Sequence, residues 1–152
     1  MTRRASLLFA FAVALVVFVA DQGIKSYIEG SMRLGESVPV IPGILQLTYI
    51  KNAGGAFGIL GGSRSLLLAG SAVAVVVVLW MLLSGKPSRL ATLGCGLILG
   101  GAAGNLLDRL GSGEVTDYVH FSFWYIFNVA DAAIVVGVGL LLLSALRSPE
   151  KV

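Results

Sequence analysis

Two aspartates stand where a carboxylate is expensive. Asp131 lies in "FNVADAAIVV", residues 127–136, at the mouth of a stretch that otherwise reads as membrane, and Asp117 lies in "EVTDYVHF" between apolar residues. Ionisable groups at membrane depth are functional candidates by default. Two carboxylates a few ångströms apart cannot both ionise easily, so they share one proton. One member can then activate a water while the other protonates a leaving group, which is hydrolysis without metal or covalent nucleophile. The titration would belong to the pair. Each acid also has a plainer reading. Asn128 and Asp131 have N-cap and N3 spacing, so Asn128 can cap a helix whose dipole Asp131 meets. Asp117 alone can be a turn residue.

Further polar residues cluster in two apolar contexts. In "DQGIK", Asp21 and Lys25 share a helix face and form a natural ion pair at the outer end of a first helix, either ending it or serving chemistry. In "GGAAGNLLDRL", the spacing of Asn105, Asp108 and Arg109 makes Asn105 face both others. Arg109 can snorkel to the interface with Asp108 neutralising it. With the small Gly101 and Gly104 one turn back, the set reads rather as a packed polar network supporting a site. His120 has no second histidine or cysteine beside it, so it reads as an interfacial side chain and no metal is expected. No nucleophile elbow, P-loop or dinucleotide fingerprint occurs, and no cofactor is expected. The lone Cys95, inside an apolar run, reads as a small hydrophobe.

The elements that must position these groups are membrane helices. Of 152 residues, 57% are hydrophobic and 12% charged, with mean hydropathy +0.92. A soluble domain carries roughly 25% charged residues, so residues 1–152 are expected to form a single membrane-embedded domain. The net charge of +3 is too small and scattered to suggest nucleic acid. Four apolar runs, Ala5–Ile24, Ser65–Leu83, Leu90–Leu107 and Val129–Leu146, each approach the roughly 20 residues that cross hydrocarbon as a helix. Glycines within them (Gly94, Gly96, Gly100, Gly101, Gly104, Gly137, Gly139) are expected to let helices approach closely. The first run follows Arg3 and Arg4 as a secretory signal would. Its apolar stretch is long for a signal and "FVADQG" is a poor cleavage site, so it reads as a retained helix.

An even number of spans places both termini on one side. Arg3, Arg4, Lys86, Arg89, Arg147 and Lys151 then sit in short segments beside helix ends on that side, which the positive-inside bias makes cytoplasmic. All acidic residues but Glu150 fall on the other half. The first outer connection contains "ESVPVIPGILQLTYIKN", which reads as a small strand pair. It continues into "NAGGAFGILGGS", where Phe57, Ile59 and Leu60 can rest on the interface and Gly54, Gly55, Gly58, Gly61 and Gly62 would let the backbone hinge as a lid. The second, "GSGEVTDYVHFSFWYIFN", mixes β-branched and aromatic residues, with Trp124 and Tyr125 suited to the aromatic belt.

The patches "DQGIK", "NAGGAF", "GNLLDR", "VTDY" and "FNVADAAI" together resemble the lipoprotein signal peptidase (signal peptidase II) family of bacteria; they occur in that family's order and span nearly the whole chain. The resemblance implies a multipass aspartyl endopeptidase of the bacterial inner membrane. It would remove the signal peptide of a diacylglyceryl-modified prolipoprotein, cutting just before the lipidated cysteine. By motif position Asp117 and Asp131 would be the catalytic pair. Asn52, Asn105, Arg109 and Asn128 would hold substrate or orient the acids, with Asp21, Lys25, Gly54 and Asp108 supporting the site. The implied fold is an α-helical membrane protein: four transmembrane helices, a small extracytoplasmic β-cradle and a short interfacial helix. The partners would be the prolipoprotein and membrane lipid. A small transporter or proton relay would also use buried carboxylates, but these polar residues gather at one face instead of forming a path across. A non-catalytic adaptor would not need two acids flanking one helix entrance.

Overall fold

Backbone groups in lipid have only each other to bond, and each apolar run is accordingly a helix. The computed structural model describes residues 2–53, 64–85 and 87–147. In it the helices are α1 (Arg3–Ser31), α2 (Arg64–Ser84), α3 (Arg89–Gly111) and α4 (Val129–Arg147), and all four are long and apolar enough to cross a membrane. The Thr2 and Ser88 hydroxyls cap α1 and α3 by accepting from the Ala5 and Ala91 amides. The Asp21–Lys25 pair does not end α1, which continues to Ser31. The reason is packing: Ile28, one turn beyond Lys25, buries against Tyr49 and Tyr118.

α3 is the central helix, with α1, α2 and α4 packed on it. Its small residues set the spacing. A Cβ at Gly100 would lie 2.5 Å from the Ala14 carbonyl of α1, and one at Gly94 would lie 2.7 Å from the Gly137 carbonyl of α4. Such contacts exclude any side chain and let backbones meet. Gly139 differs from the expectation: nothing lies within 4 Å of its Cβ position, because it turns away from α3. Leu8, Val16, Trp80, Val135 and Leu146 point outward and exposed, as a lipid-facing surface requires.

The expected strand pair is β1 (Ser37–Ile41) and β2 (Leu45–Asn52), an antiparallel hairpin turned at Gly43, whose φ of 75° favours glycine. The second long connection adds a strand, β3 (Val115–Phe121), antiparallel to β2, so the sheet order is β1-β2-β3. Two connections far apart in sequence thus form one sheet over one end of the bundle. Tyr49, Tyr118, Leu47 and Val119 pack it onto Ile28, Met32 and Val129. The glycine-rich stretch expected to act as a lid, with Gly54, falls beyond its first two residues on 54–63, outside the described residues, and the expected interfacial helix is not among the described helices.

Candidate active site

The site begins with a register shift. Leu47 pairs with Val119, but Ile50 pairs with Asp117, so β2 carries one extra residue across this stretch. A one-residue slip moves every following side chain to the other face of a sheet. The shift therefore puts Asn52, partner of Val115, on the same face as Asp117. Asn52 Nδ2 donates to Asp117 Oδ2 at 2.8 Å.

Asp131 comes from the first turn of α4. The plain capping reading is realised: the Asp131 amide donates to Asn128 Oδ1 at 2.9 Å, and the Asn128 amide donates back to Asp131 Oδ2 at 3.3 Å. This reciprocal box fixes the carboxylate at the helix mouth. Capping does not exhaust either residue. Asn128 Nδ2 reaches Asp117 Oδ1 at 2.7 Å, Asn105 Oδ1 at 3.2 Å and the Thr116 carbonyl at 3.3 Å. Asn105 Nδ2 donates to Asp131 Oδ1 at 2.8 Å. Two asparagines, from α3 and from the N-cap of α4, thereby hold both acids in one network.

A cation lies behind them. Lys25 Nζ is 2.7 Å from Asp21 Oδ2, 2.7 Å from Asp108 Oδ2 and 2.9 Å from Asn105 Oδ1. Asp21 is fully buried, and its other oxygen accepts the Ala130 amide at 3.0 Å, satisfying a second donor of the α4 N-terminus. Asp21 approaches so closely only because residue 104 is glycine; a Cβ there would lie 2.5 Å from Asp21 Oδ2. Asp108 pairs with Lys25, not Arg109. Arg109 does not snorkel: it is buried, Nη1 donates to Ser71 Oγ of α2 at 3.0 Å, and its charge acts on Asp131, Asp117 and Asp108.

Asp117 is almost fully buried, and its carboxyl pKa is pushed up from 3.8 to about 6. Burial is the main cause and the Asp131 charge adds to it, against the Asn52 and Asn128 donors and the Lys25 charge. Tyr118 beside it is pushed up to about 12, again mainly by burial.

Asp117, Asp131, Asn128, Asn105, Asn52, Asp21, Lys25 and Asp108 are thus brought together, with Arg109 alongside. Sequence reading passed over Gln22, whose Nε2 donates to Asp108 Oδ1 at 2.9 Å and to the Gly104 carbonyl at 3.3 Å. Its signal was available, since it is a polar side chain at the same depth as Asp21. Thr116 and Ser71 carried no such signal, because their partners lie on other elements. His120 meets Gln46 Nε2 at 2.8 Å and Thr48 Oγ1 at 3.0 Å through Nδ1. Among the described residues no group of three His, Cys, Asp or Glu converges as a metal site would.

Known proteins resemble this chain over nearly its whole length. The family model described as signal peptidase (SPase) II matches residues 13–147. A lipoprotein signal peptidase of Halothermothrix orenii is 41% identical over 133 residues, covering 88% of this chain and 92% of the relative. One of Brevibacillus brevis is 42% identical over 144 residues, covering 93% and 97%. A solved bacterial membrane enzyme superposes with a TM-score of 0.85 at 27% identity, covering 95% of this chain and 94% of the other.

Proposed function

We propose, for a chain that belongs to the signal peptidase II family and so removes signal peptides from prolipoproteins, that the peptide bond is hydrolysed by Asp117 and Asp131 acting on one water. The observation that carries this reading is the pair of asparagines that grips both acids at once. Their amide groups fix the carboxylate oxygens, so one acid can take the proton of the attacking water while the other delivers a proton to the leaving amine. A carboxyl whose pKa is about 6 keeps a useful protonated fraction near neutrality. Lys25, itself held by Asp21 and Asp108, sets the field at the back of the site. In this reading Asn52 and Arg109 hold substrate or orient the acids, Asn52 through its bond to Asp117.

The cut falls just before a diacylglyceryl cysteine in this reading. Acyl chains left in the bilayer, worth roughly 0.8 kcal/mol per buried methylene before ordering costs, hold the scissile bond at the depth of the helix ends where Asp131 sits. The sheet end faces outward across the bacterial inner membrane and the termini are cytoplasmic, as Arg3, Arg4, Arg89 and Arg147 at the other end favour.

The test uses purified enzyme in lipid nanodiscs with lipidated and unlipidated prolipoprotein. Asp117→Asn and Asp131→Asn should each lower kcat by at least roughly 10³-fold, and the double variant should be hardly worse. The unlipidated substrate should be cut far more slowly. Substantial activity in either single variant would remove the dyad, and equal rates on both substrates would remove lipid anchoring.

A further inference from the structure

Behind the sheet lies a second polar group that the chemistry above does not use. Lys51 and Thr116 face each other across β2 and β3. Each neighbours a residue of the site: Asn52 follows Lys51, and Asp117 follows Thr116. Because successive strand residues point to opposite faces, Lys51 and Thr116 occupy the back while Asn52 and Asp117 occupy the front. Glu29, from the last turns of α1, reaches this back face. Lys51 Nζ lies 2.6 Å from Glu29 Oε1 and 2.8 Å from Thr116 Oγ1, and the Thr116 hydroxyl donates to the same Glu29 oxygen at 2.5 Å.

We infer that Glu29, Lys51 and Thr116 form a positioning clamp that locks the β2–β3 rung behind Asp117 and so holds Asn52 in donating range of the Asp117 carboxylate. Three features support this reading. The rung lies just past the register shift, the place in β2 where pairing is least determined by regular alternation. Thr116 is 1% exposed and its carbonyl accepts from Asn128 Nδ2, so the clamped residue touches the site network on its other side. Lys51 is further seated over the Tyr49 ring at 5.8 Å. Burial opposes the Lys51 ammonium, but the Glu29 hydrogen bond and charge outweigh it and raise its pKa. Glu29 is 42% exposed and Lys51 23%, and ion pairs so exposed add little to stability. What the clamp supplies is orientation.

The inference rests on the aspartyl reading, and its consequence is a pH effect. Asn52 stabilises the ionised form of Asp117; without that donor the carboxyl pKa rises. The other charged groups acting on Asp117 are Asp131 from α4, Lys25 from α1 and Arg109 from α3, and the neighbouring Tyr118 phenol, pushed up to about 12, carries no charge there. Of these, Lys25 is also coupled to Glu29 along α1, so the Lys51 variants, which leave that pair in place, give the cleaner readout.

The experiment measures kcat/KM against pH for Glu29→Gln, Lys51→Met and the charge swap Glu29→Lys with Lys51→Glu, using lipidated prolipoprotein in nanodiscs. Each single variant should lower kcat about 10-fold with little change in KM, and should move the alkaline limb, where the protonated Asp117 is lost, upward by about half a unit to one unit. Lys51→Arg should keep the wild-type profile, and the charge swap should recover most of the loss. Single variants with wild-type profiles would overturn the clamp, as would lowered rates with an unmoved alkaline limb. Asp117→Asn run beside them separates the two ideas: if it stays active, the dyad fails, whereas a dead Asp117→Asn with unaffected clamp variants removes the clamp alone.

Discussion

The same four helices carry two unlike interiors. Away from the sheet, Ala10, Ala14, Val78, Leu82, Cys95, Ile98 and Leu99 form an apolar core, and the buried polar side chains there, Ser6 and Thr92, are uncharged. Thr92 Oγ1 satisfies itself on the Ser88 carbonyl of its own helix. At the sheet end, Asp21, Lys25, Asn105, Asp117 and Asn128 are buried together, and most of the bonds they make cross from one element to another. Glycine lets helices touch in both halves. In the first half contact serves packing alone; in the second it brings charges into bonding range. In the low dielectric of the sheet end a satisfied network is rigid, while a broken one leaves a buried polar group unpaired. The proposed site therefore lies where packing errors are least forgiving.

That contrast can be broken most severely at Asn105. Asn105→Ala removes the donor to Asp131 and the acceptor for Lys25 and Asn128 in one step. It should lower kcat/KM about 100-fold, because misplacing a reacting group by about 1 Å costs that much. A variant that unfolds more easily yet cleaves normally would mean the network is structural only.

A matched pair of glycines sharpens the comparison. A Cβ at Gly96 would meet the Ala10 carbonyl at 2.7 Å, and one at Gly104 would meet Asp21 Oδ2 at 2.5 Å. Both alanine variants should lose about 1–3 kcal/mol of stability in detergent-titrated unfolding. Only Gly104→Ala should also lose activity, about 10-fold, since it pushes Asp21 off Lys25 and the Ala130 amide. Equal activity loss at both positions would erase the distinction between the two halves.

The smallest effect is a linkage between pH and stability. Asp117 holds its proton more tightly in the fold than when unfolded, its pKa moving from 3.8 to about 6. The stabilisation from that tighter proton is fully present below about pH 4 and is lost as pH rises through about 6. Asp117→Asn lacks the group altogether. The stability of wild type relative to this variant should therefore fall by on the order of 1–3 kcal/mol between pH 4 and pH 7. A difference independent of pH would show that burial does not raise this carboxyl.

Much of the site was readable one residue at a time. Asp131, Asp117, Lys25 and Asn105 announce themselves because an ionisable or amide group inside an apolar run has to be matched by something. Arg109 was harder: from sequence its long stem fits snorkelling equally well, and only the neighbouring α2, offering Ser71, decides that it is buried. The strand β3 was not legible at all as a strand. Its mix of Val, Thr, Tyr and Phe gains pairing partners only when β2 is already beside it.

Hydrophobic length by itself determined the four helices, since a backbone in lipid has no other way to satisfy its amides. Residue type determined which positions could carry charge or proton transfer, and spacing along one helix determined local pairs such as Asp21 with Lys25 and the Asn128–Asp131 box. The tertiary structure alone decided that two distant connections share a sheet, that an extra residue in β2 turns Asn52 toward Asp117, and that Asp21 caps a helix more than a hundred positions away in the chain. Those outcomes depend on strand register and helix contact, which link residues remote in sequence, and neither periodicity nor composition specifies them.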